Sequence, residues 1–289
     1  MATLKTIRKR IASVKNTQKI TKAMKMVAAA RLRRAQQAVI AARPYANALS
    51  QVLQSVASRD SSENNPLWTG RDHPKKICYL AFTSNKGLCG GFNSNLLRRL
   101  ETRLTEEATR YEIIDLKIIG KKGRDYYRTR RREPSEVFVE LADSFPFEKA
   151  EMIAQGLIES FLKGEFDEYW IVYNQFRSAI SQEIQFEKLL PVSLKAPEEA
   201  TGSLVDFIFE PNRHEIAELL VPKLVATQLY RSHLESVASE LGARMTAMES
   251  ATKNAKEMIG ALTLEYNRAR QAVITKELMD IVNGAESVK

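Results

Sequence analysis

Leu4-Lys-Thr-Ile7-Arg-Lys-Arg-Ile11-Ala-Ser-Val14 opens a run of positions three and four residues apart that continues without a break. It goes on through Gln18, Thr21, Lys25, Ala28, Leu32, Ala35, Val39, Ala42, Ala46, Leu49, Leu53 and Val56. That spacing puts every one of these residues on a single helical face, and only Gln18, Thr21 and Lys25 are polar. Near the other end, Leu234, Ala238, Leu241, Met245, Met248, Thr252, Ala255, Ile259, Leu262, Tyr266, Ala269 and Val273 keep the same rhythm, with Thr252 the one departure. Heptads sustained at both ends predict one intramolecular coiled coil, with the rest of the chain hung between its strands.

Geometry sharpens the expectation. Both helices meet the middle of the chain at their inner ends, near residues 57 and 213, so their outer ends point the same way and the pair is antiparallel. At the usual rise, the first helix is roughly 80 Å long and the second roughly 110 Å. If they start level, about 30 Å of the second is left without a partner. That surplus still carries Val273, Ile274, Leu278, Ile281 and Val282. An apolar face of that size calls for a sheath from another protein; the competing reading is a tip folded back on the middle domain.

Composition bounds the rest. With 289 residues the chain is long enough for one or two domains with a real core. No apolar run approaches the ~18 residues of a membrane span, so membrane association is expected only through a partner. The N-terminus lacks the apolar stretch of a secretory signal. Residues 1–59 hold 13 Lys or Arg and no acid, while the remainder has 31 basic and 35 acidic residues, a net of −4. A wholly basic helix suits nucleic acid, an anionic membrane surface or a protein with acidic loops. It also resembles a transit peptide in composition, but a removable segment has no need to be half of a coiled coil. Cys78 and Cys89 form no CxxC, and with His73, His214 and His233 they give no recognisable metal spacing; no cofactor is expected. Two cysteines exclude a disulfide framework, and a reducing cytoplasm is the default setting.

The middle alternates strand and helix. Residues 60–75 read as a loop, 77–82 as a buried strand, 83–93 as a glycine-bearing turn, and Asn93 or Ser94 as the cap of a helix running past Leu104. Strands are expected at 116–119, 136–140 and 168–173, the last paired with 182–190. A short basic helix follows Gly120, and 149–163 is helical with Ile153, Leu157, Phe161 and Leu162 on one face. This order predicts a Rossmann-like α/β sheet. A glycine turn between strand and helix can cradle phosphate, but Gly87, Gly90 and Gly91 give neither GxGxxG nor a P-loop, so a plain tight turn is the simpler reading. The expected domains are thus 1–58, 75–200 and 212–286: first coil helix, central α/β domain, second coil helix.

Several stretches also carry a family likeness. Ile11-Ala-Ser-Val-Lys-Asn-Thr-Gln-Lys-Ile-Thr-Lys-Ala-Met-Lys-Met-Val-Ala-Ala-Ala30 resembles the opening helix of the gamma subunits of bacterial F-type ATP synthases. So does Arg244-Met-Thr-Ala-Met-Glu-Ser-Ala-Thr-Lys-Asn-Ala255. Tyr266-Asn-Arg-Ala-Arg-Gln-Ala-Val-Ile-Thr-Lys-Glu-Leu-Met-Asp-Ile-Val-Asn-Gly-Ala285 looks like that family's C-terminal signature, and Ser84-Asn-Lys-Gly-Leu-Cys-Gly-Gly-Phe-Asn93 is similar to its central loop. The extra dithiol segment of the light-regulated plastid form is not apparent.

The resemblance implies a rotor shaft: a coiled coil turning inside a ring of alpha and beta subunits, with a foot on the c-subunit ring and epsilon. It implies contacts with the alpha/beta ring at Met24, Lys22 and Lys25, with Arg31 and Arg33 completing a basic belt. Further contacts are implied at Arg244, Arg270, Gln271, Thr275 and Glu277. Phe207 and Glu210 are implied at the c ring and epsilon. It implies no catalytic residues in this chain and a place on the cytoplasmic face of the bacterial membrane. Outside this class stand a basic coiled-coil nucleic-acid binder and a nucleotide-binding enzyme using the 83–93 turn. Against the first, Tyr45 is the only aromatic residue in 1–59.

Overall fold

The computed structural model describes residues 4–57, 66–192 and 213–286. Its elements in chain order are α1 (Leu4–Ala57), α2 (Pro66–Thr69), β1 (Lys76–Phe82), α3 (Phe92–Glu107), β2 (Ile113–Ile119), α4 (Lys121–Thr129), β3 (Glu136–Phe138), α5 (Phe147–Leu162), β4 (Glu168–Phe176), β5 (Gln182–Leu190) and α6 (Arg213–Glu286). They fall into two compact units. One joins Met1–Ala29 to Arg244–Lys289; the other is Ala30–Ala243.

In the first unit the two long helices run antiparallel. Arg8 reaches Tyr266, Thr21 meets Thr252 and Lys25 meets Glu249, so opposite residue numbers add to 273 or 274 throughout. Ile7, Thr21, Ala28, Met248 and Ala255 are buried along this seam. Along α1 every heptad position from Leu4 to Leu49 is buried or half-buried; the side chains of Leu53 and Val56 lie outside the described residues. Along α6 the same holds from Leu234 to Ala269. The register places Leu4 opposite residue 270. Residues 271–286 of α6 therefore extend about 24 Å past the described start of α1.

The second unit is built on a five-stranded sheet ordered β3-β2-β1-β4-β5. β1, β2, β3 and β4 are parallel, and β5 is an antiparallel edge. One face of β1 (Ile77, Tyr79, Ala81) packs with Leu96, Leu97, Leu100 and Leu104 of α3 and Tyr127 of α4. The other (Cys78, Leu80, Phe82) packs with Ala154, Leu157 and Phe161 of α5. That second core also takes Val221, Leu224, Val225 and Leu229 of α6, and Leu49 of α1. Its core thus draws on helices outside the 75–200 span expected from composition. Between Val221 and Ala243, α6 is buried on most of its circumference rather than along one stripe, because the sheet covers the side that a two-stranded coil would leave to solvent.

Three local readings change. The third strand stops at Phe138, and Glu140–Ala142 is a 3-10 turn. Leu162 is exposed, since residues 153, 157 and 161 already define the buried stripe of α5 and 162 lies about 100° round it. Neither Asn93 nor Ser94 caps α3: the helix begins at Phe92, and the Asn93 side chain turns back to Ser84. Gly242 permits a close approach of the β4–β5 hairpin, since a Cβ there would sit 3.2 Å from Ala179 Cα, whereas Gly260 faces open space.

Candidate functional site

In a doubly wound sheet, ligands bind where the strand order reverses, outside the carboxyl ends of the strands. Here that point lies between β1 and β4, and α6 fills it. The His233 ring lies 6.2 Å from that of Phe82 and 5.0 Å from that of Phe145. The buried carboxylate of Glu235 accepts from Phe176 N–H at 2.9 Å and from Arg43 at 3.3 Å. Ser239 Oγ donates to Asn174 O at 2.8 Å. The space left among Phe82, Thr83, Phe92, His233 and Ser236 is about 10 Å³, room for at most one water. Burial holds His233 neutral, its pKa pushed down to about 4.

The phosphate-binding positions beside the crevice are likewise taken. The first N–H groups of α4, the dipole end that attracts anions, bond to the chain itself. Lys121 N–H donates to Asn85 Oδ1 at 2.9 Å, Lys122 N–H to Ser84 O at 3.0 Å and Gly123 N–H to Thr83 Oγ1 at 3.0 Å. Gly120 makes this fit possible: its φ is +101°, and a Cβ there would lie 2.1 Å from Thr83 O. Within the 83–93 loop, Ser84 N–H donates to Asn93 Oδ1 and Asn93 Nδ2 donates to Ser84 Oγ. Cys89 is buried with Phe92 and Ala243, while Leu88, at φ 63°, is exposed. The loop is the tight turn that its glycines suggested.

The coil unit carries most of the expected interface. Lys22 is exposed, Met24 half-buried, and Lys25 lies across the seam on Glu249 at 2.6 Å. Beside them Thr252 and Thr21 hydroxyls meet at 2.8 Å, a polar layer in an apolar seam. Arg270 is exposed at the base of the overhang, level with Leu4, and Gln271, Thr275 and Glu277 are exposed on it. By the register Met24 faces residue 250, so these two groups are about 30 Å apart along the coil. Arg244 is half-buried. In the other unit Arg31 and Arg33 are exposed, and Phe207 and Glu210 lie outside the described residues. On the overhang, Val273, Ile274, Leu278, Met279, Ile281 and Val282 are 41% to 68% exposed. The Arg8–Tyr266 bond and the meeting of the two threonines went unforeseen. Their only signal in the sequence was that Thr21 and Thr252 each break a heptad.

The family model described as ATP synthase matches residues 3–288. The chain is 50% identical to the ATP synthase gamma chain of Anaeromyxobacter sp. (strain Fw109-5), over 100% of both. A chain from the central stalk/c-ring structure of the Tetrahymena thermophila mitochondrial ATP synthase is 25% identical, with a TM-score of 0.57, over 80% of this chain and 99% of that one. One from the Euglena gracilis mitochondrial enzyme (OSCP/F1/c-ring, rotational state 3) shares the fold at a TM-score of 0.68 and 20% identity, over 99% of this chain and 94% of that one.

Proposed function

The chain belongs to the ATP synthase gamma-chain family, and from that premise we propose that it is the central rotor shaft of a proton-translocating F-type enzyme. The observation that carries the reading is the overhang. A helix end with six exposed large apolar side chains and no partner among the described residues of its unit needs a sleeve. The alpha and beta subunits of the catalytic head supply that sleeve. The foot, including Phe207 and Glu210, rests on the c ring and epsilon, on the cytoplasmic face of the bacterial membrane. The domains act as 1–58 and 212–286 for the shaft and 75–200 for the α/β body.

The shaft couples by symmetry mismatch. A single asymmetric coil cannot touch three beta subunits alike, so each orientation biases each bistable beta subunit differently, and rotation exchanges those states. Met24, Lys22 and Lys25 meet acidic loops of beta, with Arg31 and Arg33 extending the basic belt. Arg270, Gln271, Thr275 and Glu277 contact the ring higher up, and Arg244, six residues before the level of Met24 on α6, contacts it lower down. The chain has no catalytic site of its own. Support comes from the switch-point crevice, filled by His233, Glu235 and Ser239, and from the phosphate positions of α4, occupied by Thr83, Ser84 and Asn85.

The test is co-expression with the cognate alpha and beta subunits, followed by native mass measurement and an ATPase assay. The expected result is a complex with three alpha, three beta and one copy of this chain, whose ATPase activity depends on it. A chain that stays alone and leaves alpha and beta unaffected would refute the proposal.

A further inference from the structure

The positive charge of this chain has a second focus that the shaft reading does not use. Lys121 to Glu133 contains seven Lys or Arg against Asp125 and Glu133, a net of +5. Residues 60–289 together are at −4, so the remainder of that span is at −9. The basic residues are concentrated at the C-terminal end of α4. Arg128, Arg130 and Arg131 are exposed, and none of them has an ion pair among the described residues.

The turn that presents them is built. Arg132 N–H donates to Tyr127 O and Arg131 N–H to Arg128 O, at 3.3 Å each, which is a Schellman close. Its left-handed position, normally glycine, is Arg131 at φ 55°. Arg130 lies flat over Tyr126, 3.6 Å from the ring centroid. A side chain is thus kept where the backbone favours none, and the residue kept is the one best suited to phosphate.

The chemistry of the turn narrows the partner. Apart from its arginines it shows no exposed apolar or aromatic residue to anchor a protein interface, so any partner is held by charge. Its aromatic rings are poor platforms for a nucleobase, because Tyr127 is buried and the half-buried Tyr126 has Arg130 over one face and packs edge-on with Tyr127. What remains is a fork of guanidinium groups suited to a layer of phosphates. The turn leads into β3 at the end of the sheet where β1, β2 and β4 begin and β5 ends at Leu190. In sequence β5 is followed by the stretch containing Phe207 and Glu210, which the shaft reading assigns to the c ring and epsilon and which lies outside the described residues.

We propose that the Arg128–Arg131 turn docks on the headgroups of anionic phospholipids beside the rotor's membrane ring. This rests on the shaft reading and adds a direct lipid contact to a membrane association otherwise made through partner subunits. The test uses the co-purified complex with alpha and beta, floated with vesicles of phosphatidylcholine alone or with about one-third phosphatidylglycerol. The wild type is expected to partition only onto the anionic vesicles. Arg128→Gln/Arg130→Gln/Arg131→Gln should lower that partitioning on the order of a hundredfold.

A control, Lys75→Gln/Lys149→Gln/Lys163→Gln, removes the same charge from elsewhere in the unit and should keep most of the binding. Arg131→Gly alone should weaken binding while leaving the unfolding midpoint unchanged or higher, and a lower midpoint would assign the arginine to holding the turn. Equal losses in the two triple variants, partitioning onto both vesicle types alike, or tighter binding to a DNA duplex than to anionic vesicles would overturn the proposal. Failure of the complex to form would instead count against the shaft reading. The variants would then be compared as full chains, where the basic α1 is common to all.

Discussion

Acid will weaken the seating of α6 in the sheet, and His233 sets the pH range. The side chain is 6% exposed, and burial alone pushes its pKa from 6.5 down to about 4. The folded state therefore binds fewer protons than the unfolded one between those values. The penalty is absent above pH 6.5, grows as pH falls, and is complete below about 4. That interval corresponds to roughly 3 kcal/mol, of which about 2 kcal/mol is lost between pH ~7 and ~5. Against a typical stability of about 5–15 kcal/mol this is a large share. Asp167 and Glu168 act lower. Burial raises both carboxyls, but for Asp167 the Lys75 N–H and Arg71, and for Glu168 the Lys188 and Trp170 bonds, outweigh it and hold them below 3.8 and 4.5. Their stabilisation is lost as pH falls through those lowered values, beneath the histidine window. Urea unfolding of the full chain, followed through Trp68 and Trp170 fluorescence, measures the difference. The wild type should lose about 2 kcal/mol more than His233→Leu over that pH range, whatever constant cost the leucine carries. His73 and His214 are common to both and cancel. Parallel curves would refute the reasoning and mean that the imidazolium finds a partner, with Glu240 of the same crevice the first to suspect.

Two glycines should respond oppositely to alanine. Gly260→Ala meets nothing within 4 Å and should stabilise by up to about 1 kcal/mol, whereas Gly120→Ala should cost more than about 2 kcal/mol because its Cβ collides with Thr83 O; denaturant midpoints decide both. Thr252→Val removes the bond between the two hydroxyls, leaving Thr21 only its own-helix bond to Gln18 O, and should cost about 1 kcal/mol, and adding Thr21→Val should restore part of it, a coupling that a double-mutant cycle reads directly. Met24→Lys adds a charge beside Lys22 and Lys25 and should lower proton pumping per ATP hydrolysed more than it lowers assembly; unchanged pumping would count against the belt assignment. Removing the last ~12 residues, about three turns of the overhang, should weaken assembly with alpha and beta while leaving the sheet's circular dichroism intact.

The long helices were legible because their information is local and repeated. A 3-4 rhythm names the buried face at each position, and from Leu4 to Leu49 every named position is indeed covered. The sheet was legible for a similar reason, as apolar runs between turn residues. The overhang followed from counting residues, and the register shortened it from about 30 to about 24 Å. The end of the third strand and the start of α3 depend on partners outside the element itself, since Phe138 pairs only as far as Ile119 and Asn93 prefers Ser84 to a helix N-terminus, whereas the exposure of Leu162 follows from helix geometry alone.

The same division governs function. Sequence alone determined that two helices pair, which face each buries, that the first is wholly basic and that the second ends in an apolar stretch, because periodicity and charge are properties of residues read in order. Tertiary structure decided that Thr21 meets Thr252 rather than another residue, that α6 closes the crevice of the sheet with His233, Glu235 and Ser239, and that three arginines share one exposed turn. Those facts depend on register and crossover packing, which bring together residues as far apart as Thr21 and Thr252, at a separation of 231, and Arg8 and Tyr266, at 258. No local pattern encodes such a meeting. It is set by the free energy of burying both faces at once.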